Sequence, residues 1–153
     1  VLVQGLAQML KHYWLGDKVI HEIAKIGCET IRAEDIIGRV GGEEFLCVLP
    51  RIDAVQGLHI AQRFVNKVNS SEFIAGDDYD NMKKVKVTVS IGIATTSSKL
   101  QSSSELYVEA DKALYHAKYS GKNRAIQYQD SMQHSYQQET GFNNQDSTLN
   151  DNQ

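Results

Sequence analysis

The feature that most limits the folds open to this chain is the run Gly41-Gly42-Glu43-Glu44, set between two β-type segments, Asp35 to Val40 and Phe45 to Leu49. A glycine pair supplies the backbone freedom of a tight turn, so the two segments are expected to pair as an antiparallel hairpin. A hairpin must bury one face in a larger sheet, and more strand is available. Val85 to Ala94 alternates and is rich in β-branched residues, and Arg124 to Tyr128 reads as a short last strand. Helical periodicity fills the intervals. Val19, Ile20, Ile23, Ala24 and Ile31 follow Gly16 or Asp17 and end near Arg32; Val55, Leu58, Ala61, Phe64, Val65 and Val68 follow Asp53 and end near Asn69-Ser70. Leu106, Ala110, Ala113, Leu114 and Ala117 form a third stripe behind a cap at Ser103 or Ser104, stopped by Gly121. Phe73 to Lys84 reads as a polar connection. The order predicts an α+β fold of ferredoxin-like type, an antiparallel-rich sheet with helices on one face. Its first strand is missing or formed poorly by Val1 to Leu6.

Length and composition agree with that reading. The chain has 153 residues, 41% hydrophobic and 23% charged, enough for one core. No apolar run approaches the ~18–20 residues of a membrane helix, so no membrane contact is expected of this segment. The start at Val1, with no Met and no leader pattern, predicts a piece that begins inside a longer protein. Cys28 and Cys47 lack a metal or redox spacing and read as buried free thiols in a reducing, cytoplasmic setting. Net charge is −3, from 16 basic and 19 acidic residues. Four acids, Asp130, Glu139, Asp146 and Asp151, follow the last base, Arg124, so the tail carries −4 and the body +1. A nearly neutral body argues against a nucleic-acid polymer and leaves room for local cations on a nucleotide. The Gln-, Asn- and Ser-rich stretch 129–153 is expected to be a disordered tail behind a domain at 1–128.

The hairpin carries the first chemical signal. Gly41 and Gly42 let a phosphate or base approach the backbone, while a carboxylate beside them can hold Mg²⁺, which takes oxygen ligands. Metal-assisted phosphoryl transfer fits such a turn. On the hairpin alone, a plain solvated turn remains open as the alternative.

Arg39-Val40-Gly41-Gly42-Glu43-Glu44-Phe45 resembles the signature of the GGDEF family, the diguanylate cyclases. Val89 to Ala94 resembles the family's strand after its variable connection. Ala110 to Lys118, with Gly121-Lys122-Asn123-Arg124, resembles its last helix and turn. The resemblance runs from Gly16 to about Tyr128 and implies a nucleotidyl-cyclase-like sheet. The implied activity is condensation of two GTP to cyclic di-GMP and pyrophosphate, in a homodimer, with Mg²⁺ or Mn²⁺. It casts Glu43 as metal ligand and catalytic carboxylate with Glu44 as its acidic neighbour, Gly41 and Gly42 as room for the nucleotide, and Asp17 as the reader of guanine. Lys118 and Lys122 become the cations on the β and γ phosphates; without the resemblance, their i,i+4 spacing describes a solvated helix face. Arg32-Ala33-Glu34-Asp35, five residues before Gly41, resembles the family's product-inhibition turn, and Arg63 falls where some members place a second arginine for cyclic di-GMP. Arg39 is assigned to the fold around the hairpin.

Upstream of Asp17 the pattern departs from the family, which places there a strand with a metal-binding Asp, an aromatic-Lys pair, a guanine-reading Asn and a Tyr-Gly-His stretch. Laid without gaps, Val1 falls just after the Asp place, Gly5 takes the Lys place, Gln8 the Asn place, and Lys11-His12-Tyr13 replaces Tyr-Gly-His. Truncation, a reading-frame fault or degeneration each gives this picture, and turnover by this chain alone is expected to be weak or nil. The alternative function is a catalytically inactive cyclic di-GMP receptor or dimerisation module.

Overall fold

A computed structural model of the chain describes residues 2–9, 17–75, 82–97 and 102–133. In chain order the elements are β1 (Leu2–Met9), α1 (Asp17–Thr30), β2 (Ile36–Gly41), β3 (Glu44–Val48), α2 (Ala54–Ser70), β4 (Phe73–Ala75), β5 (Lys83–Val85), β6 (Val87–Ala94), α3 (Ser103–Tyr119) and β7 (Ala125–Gln127). The main sheet has the order β2-β3-β1-β6-β7. β1 is antiparallel to both neighbours, and β7 runs parallel to β6. The α+β class and the antiparallel-rich sheet are as the sequence predicted.

Three local expectations are corrected. The first strand is neither missing nor confined to Val1–Leu6: Leu2–Met9 fills the centre of the sheet, paired along its whole length with β6 and over Leu2 to Leu6 with β3. Its composition, with Gly5, Ala7 and two glutamines, gives a weak strand signal; partners on both sides supply what propensity does not. The helices occupy both faces, not one. On β6, Val87, Val89, Ile91 and Ile93 are buried in the same cluster as Val19, Ile20 and Ile23 of α1 and Ala61, Val65 and Val68 of α2. The alternate residues Gly92 and Ala94 turn the other way, beneath Ala110 and Leu114 of α3. A strand covered on both sides must be apolar on both, which explains why β6 is the strongest strand in the sequence. Finally, the connection Phe73–Lys84 contains the paired strands β4 and β5; buried Phe73 anchors it in the core, and Lys84 meets Glu72 at 2.8 Å beside it.

Caps fix the helix starts. Asp53 accepts from Gln56 N at 2.8 Å while the Gln56 side chain accepts from Asp53 N at 3.2 Å. At α3 the cap is Ser102, one residue earlier than expected, with Glu105 as its partner. The structured chain continues past Tyr128: Gln133 Oε1 accepts from Tyr128 Oη at 3.0 Å and from Lys112 Nζ at 3.3 Å. The rest of the expected tail, 134–153, lies outside the described residues. No helix among the described residues is long and apolar enough to cross a membrane.

Of the described glycines compared, Gly92 leaves the least room, because a Cβ there runs into the Ala110 carbonyl and the Leu114 backbone, neither of which can swing aside. Gly92→Ala is expected to lower stability by roughly 1–3 kcal/mol through overpacking. Gly38→Ala, where an added Cβ meets nothing within 4 Å, is expected to leave the unfolding free energy within about 0.5 kcal/mol of wild type. Denaturant titration of the two variants checks both.

Candidate functional site

The hairpin closes where Gly41 pairs with Glu44, after a register shift beyond Arg39. Gly42 has φ +41, a left-handed conformation that glycine adopts without penalty. Arg39 Nε donates to Gly42 O at 2.7 Å and fastens the turn, the role in the fold that the sequence assigned to it. Gly41 is different: it has no positive φ, and a Cβ on it meets nothing within 4 Å. Nothing among the described residues demands glycine there. Phe45, 7% exposed, roots the hairpin in the core beneath α1 and α2. By alternation Glu44 faces the side of the sheet that carries α3, and both Glu43 and Glu44 are half-buried.

Register extends this corner across the sheet. Leu6 lies between Glu44 on β3 and Ser90 on β6, and the Arg124 carbonyl accepts from Ile91 N at 2.9 Å at the start of β7. The hairpin and the turn after α3 therefore share one end of the sheet, about 14 Å apart at the ~4.8 Å spacing of neighbouring strands. That turn is a Schellman ending: Gly121 has φ +112, and Lys122 N donates to Ala117 O at 3.0 Å. Lys118 is half-buried in the last turn of α3, whereas Lys122 lies beyond the helix in a left-handed conformation, φ 60. The pair is thus not an i,i+4 pair on a helix face, because the helix stops at Tyr119. Asp17, at the exposed start of α1, opens onto a cleft of about 520 Å³ shared with His21, Gly38, Arg39 and Phe45 at the foot of the hairpin.

Two residues on this end escaped sequence reasoning. Ser90 is 1% exposed and its Oγ has no hydrogen-bond partner among the described residues; a hydroxyl in an otherwise apolar strand was its signal. Asn69, at the end of α2, accepts from Asn123 Nδ2 at 3.2 Å, and a contact across 54 positions leaves no local trace.

For a divalent cation the corner offers Glu43 and Glu44. The strand beside them, Leu2–Met9, carries no Asp or Glu, and no group of three or more His, Cys, Asp or Glu able to hold a metal occurs among the described residues. This donor set fits one Mg²⁺ carried with a nucleotide, since Mg²⁺ commonly takes one or two carboxylates and completes its shell with water and phosphate oxygens. It does not fit a site for two metals.

A second cluster forms at the opposite end of α1. Arg63 Nη2, from α2, donates to Thr30 O at the C-terminus of α1. Two residues later Arg32 N donates to Asp35 Oδ2 at 2.7 Å, and Asp35 N to Arg32 O at 3.1 Å. Asp35 Oδ1 is buried with no partner among the described residues. Arg32, Asp35 and Arg63 are thereby gathered around one helix end, with the whole of β2 between Asp35 and the hairpin turn.

The family model for "Diguanylate cyclase, GGDEF domain" matches residues 14–124. Among curated relatives, the chain is 38% identical over 112 residues to the probable diguanylate cyclase DgcT of Escherichia coli, covering 73% of this chain and 24% of that protein. It is 38% identical over 109 residues to diguanylate cyclase A of Treponema denticola, covering 71% and 28%. The chain thus spans about a quarter of the length of these relatives. Among solved structures, the active GGEEF domain of a diguanylate cyclase from Vibrio cholerae superposes with a TM-score of 0.70 at 24% identity, over 84% of this chain and 83% of that one. The GGDEF domain of DgcB from Caulobacter crescentus, solved in complex with c-di-GMP, gives 0.69 at 23% identity, over 82% and 77%. The chain belongs to the GGDEF family of diguanylate cyclase domains.

Of the two thiols, Cys47 is buried, but Cys28 is exposed on α1, contrary to the expectation that both are buried; its position in the α1 pattern falls on the solvent side of the stripe. Burial, and then the charge of Asp35, push the Cys47 thiol from its ordinary 9.0 to about 12. Alkylation requires thiolate, so at pH 8 iodoacetamide is expected to modify Cys28 and spare Cys47 until the chain unfolds, as peptide mass mapping would read. The folded pKa is the raised one, so Cys47's contribution to stability is complete below pH 9 and is lost as pH rises toward 12.

Proposed function

We propose that this domain binds GTP at the sheet end marked by Gly41, Gly42, Glu43 and Glu44 and, paired face to face with a second copy, condenses two GTP to cyclic di-GMP. In each half-reaction the ribose 3′-oxygen bonds to the partner nucleotide's α-phosphorus, the bond to pyrophosphate breaks, and the 3′ proton leaves to a base. Asp17 takes the guanine edge, Lys118 and Lys122 meet the β and γ phosphates, and Glu43, with Glu44 beside it, holds the Mg²⁺ that neutralises phosphate charge. The observation that carries this reading is that strand register sets the Gly41–Glu44 hairpin and the Lys122 turn at the same end of the sheet. The cytoplasm, where GTP is made and used, is the proposed site of action, and the polar stretch beyond Gln133 stands outside the catalytic unit.

A second reading is favoured by one fact: Arg32, Asp35 and Arg63 gather around one end of α1, away from the hairpin turn. In that reading the domain is a cyclic di-GMP receptor that keeps the Arg32–Asp35 turn and Arg63 and has lost turnover. Chromatography of a reaction with GTP and Mg²⁺ under dimerising conditions, for this chain and for one extended upstream, separates the two. Cyclic di-GMP formation that disappears in Glu43→Gln supports the cyclase; no product from either chain, with cyclic di-GMP still bound in calorimetry, leaves the receptor.

Either reading predicts that Arg32→Ala weakens cyclic di-GMP binding by roughly 1.5–3 kcal/mol, the scale of charge-assisted hydrogen bonds, with GTP affinity unchanged. Equal product affinities in wild type and variant would reduce the Arg32–Asp35 segment to a simple helix-to-strand turn.

A further inference from the structure

Gly121, Lys122 and Asn123 have φ values of 112, 60 and 48, three successive residues in the left-handed region. Glycine adopts it freely and asparagine tolerates it, but a lysine there is held against its own preference by its surroundings. Three bonds hold this turn. Lys122 N donates to Ala117 O, and Arg124 Nε donates to Lys122 O at 3.0 Å. Both lie inside the α3-to-β7 connection. The third leaves it: Asn123 Nδ2 donates to Asn69 Oδ1 at 3.2 Å, on the last turn of α2. α2 is a firm post, capped at Asp53 and sunk in the core by Ala61, Val65 and Val68.

The backbone angles of a residue set the direction in which its Cα–Cβ bond leaves the chain, so whatever fixes the left-handed turn also fixes where the Lys122 ammonium is offered. From this geometry we infer that Asn69, acting through Asn123, is a positioning residue for Lys122, and that it tunes affinity for the β and γ phosphates of a bound nucleoside triphosphate. The inference rests on the proposal that Lys122 meets those phosphates. Asn69 itself touches no ligand in this account; it removes turn conformations in which the ammonium points elsewhere.

The test compares GTP with GMP, which lacks the β and γ phosphates, using the whole 153-residue chain in Mg²⁺ buffer and a fluorescent-nucleotide displacement assay. Lys122→Ala is expected to weaken GTP at least tenfold and to leave GMP unchanged. Asn69→Ala is expected to weaken GTP roughly three- to tenfold with GMP again unchanged, and Asn69→Ala combined with Asn123→Gly, which drops the side-chain bond without straining the left-handed turn, to do no more than either alone, as members of one bond should. A general loosening of the fold would instead weaken both nucleotides. If Lys122→Ala costs GTP affinity and Asn69→Ala does not, or if Asn69→Ala weakens GTP and GMP alike, the positioning role is wrong while the nucleotide site stands. If Lys122→Ala leaves the preference for GTP over GMP intact, or wild type shows no such preference, the phosphate role of Lys122 fails and the positioning role falls with it.

Discussion

The close approach of α3 to β6 at Gly92 is the constraint on which the rest of the molecule depends. With no Cβ at that point, the Ala110 carbonyl and the Leu114 backbone rest directly on the strand, and α3 lies flat against the face opposite α1 and α2. Two consequences follow from one missing methyl group. β6 becomes a strand buried on both sides, and the C-terminal end of α3 is held low enough for its Schellman turn to run into β7 beside Ile91. That turn thereby stands at the same end of the sheet as the Gly41–Glu44 hairpin.

The two candidate sites are separated by regular structure. α1 carries Asp17 at one end and the Thr30 carbonyl that receives Arg63 at the other; β2 links Asp35 to Gly41. α2 likewise bears Arg63 near its middle and Asn69 at its end. The residues of the two candidate sites are therefore mounted on shared elements, an arrangement through which a change at one end can bias the other without direct contact. The electrostatics at the Thr30 end of α1 are tight. Asp35 is held by Arg32 N through one oxygen, its other oxygen is buried with no partner among the described residues, and its charge helps to raise the Cys47 thiol.

What was legible in the sequence was local. The glycine-rich turn between two β-type runs specified a hairpin, Asp53 specified a helix start, Gly121 specified a helix end, and each appears because the physics acts within a few residues. β6 was legible for the same reason, since a strand buried on both faces is apolar throughout. β1 was not, because Leu2–Met9 is a strand by virtue of β3 and β6, more than 35 positions away. The β4–β5 pair was hidden in a polar stretch whose single buried anchor, Phe73, gives no periodicity.

The motifs by themselves determined the family and named most of the candidate residues, because glycine at a turn and carboxylate or ammonium at fixed spacing are properties of the chain. Only the tertiary structure decided which of those residues act together. It set Glu44, Leu6, Ser90 and the Arg124 turn in one row, took Lys122 off the helix face into a left-handed turn held from α2, and left the strand beside Glu44 without a carboxylate. The reason is physical: spacing along a chain fixes only what neighbours can do, whereas a binding site is made of side chains brought together by strand register and helix packing.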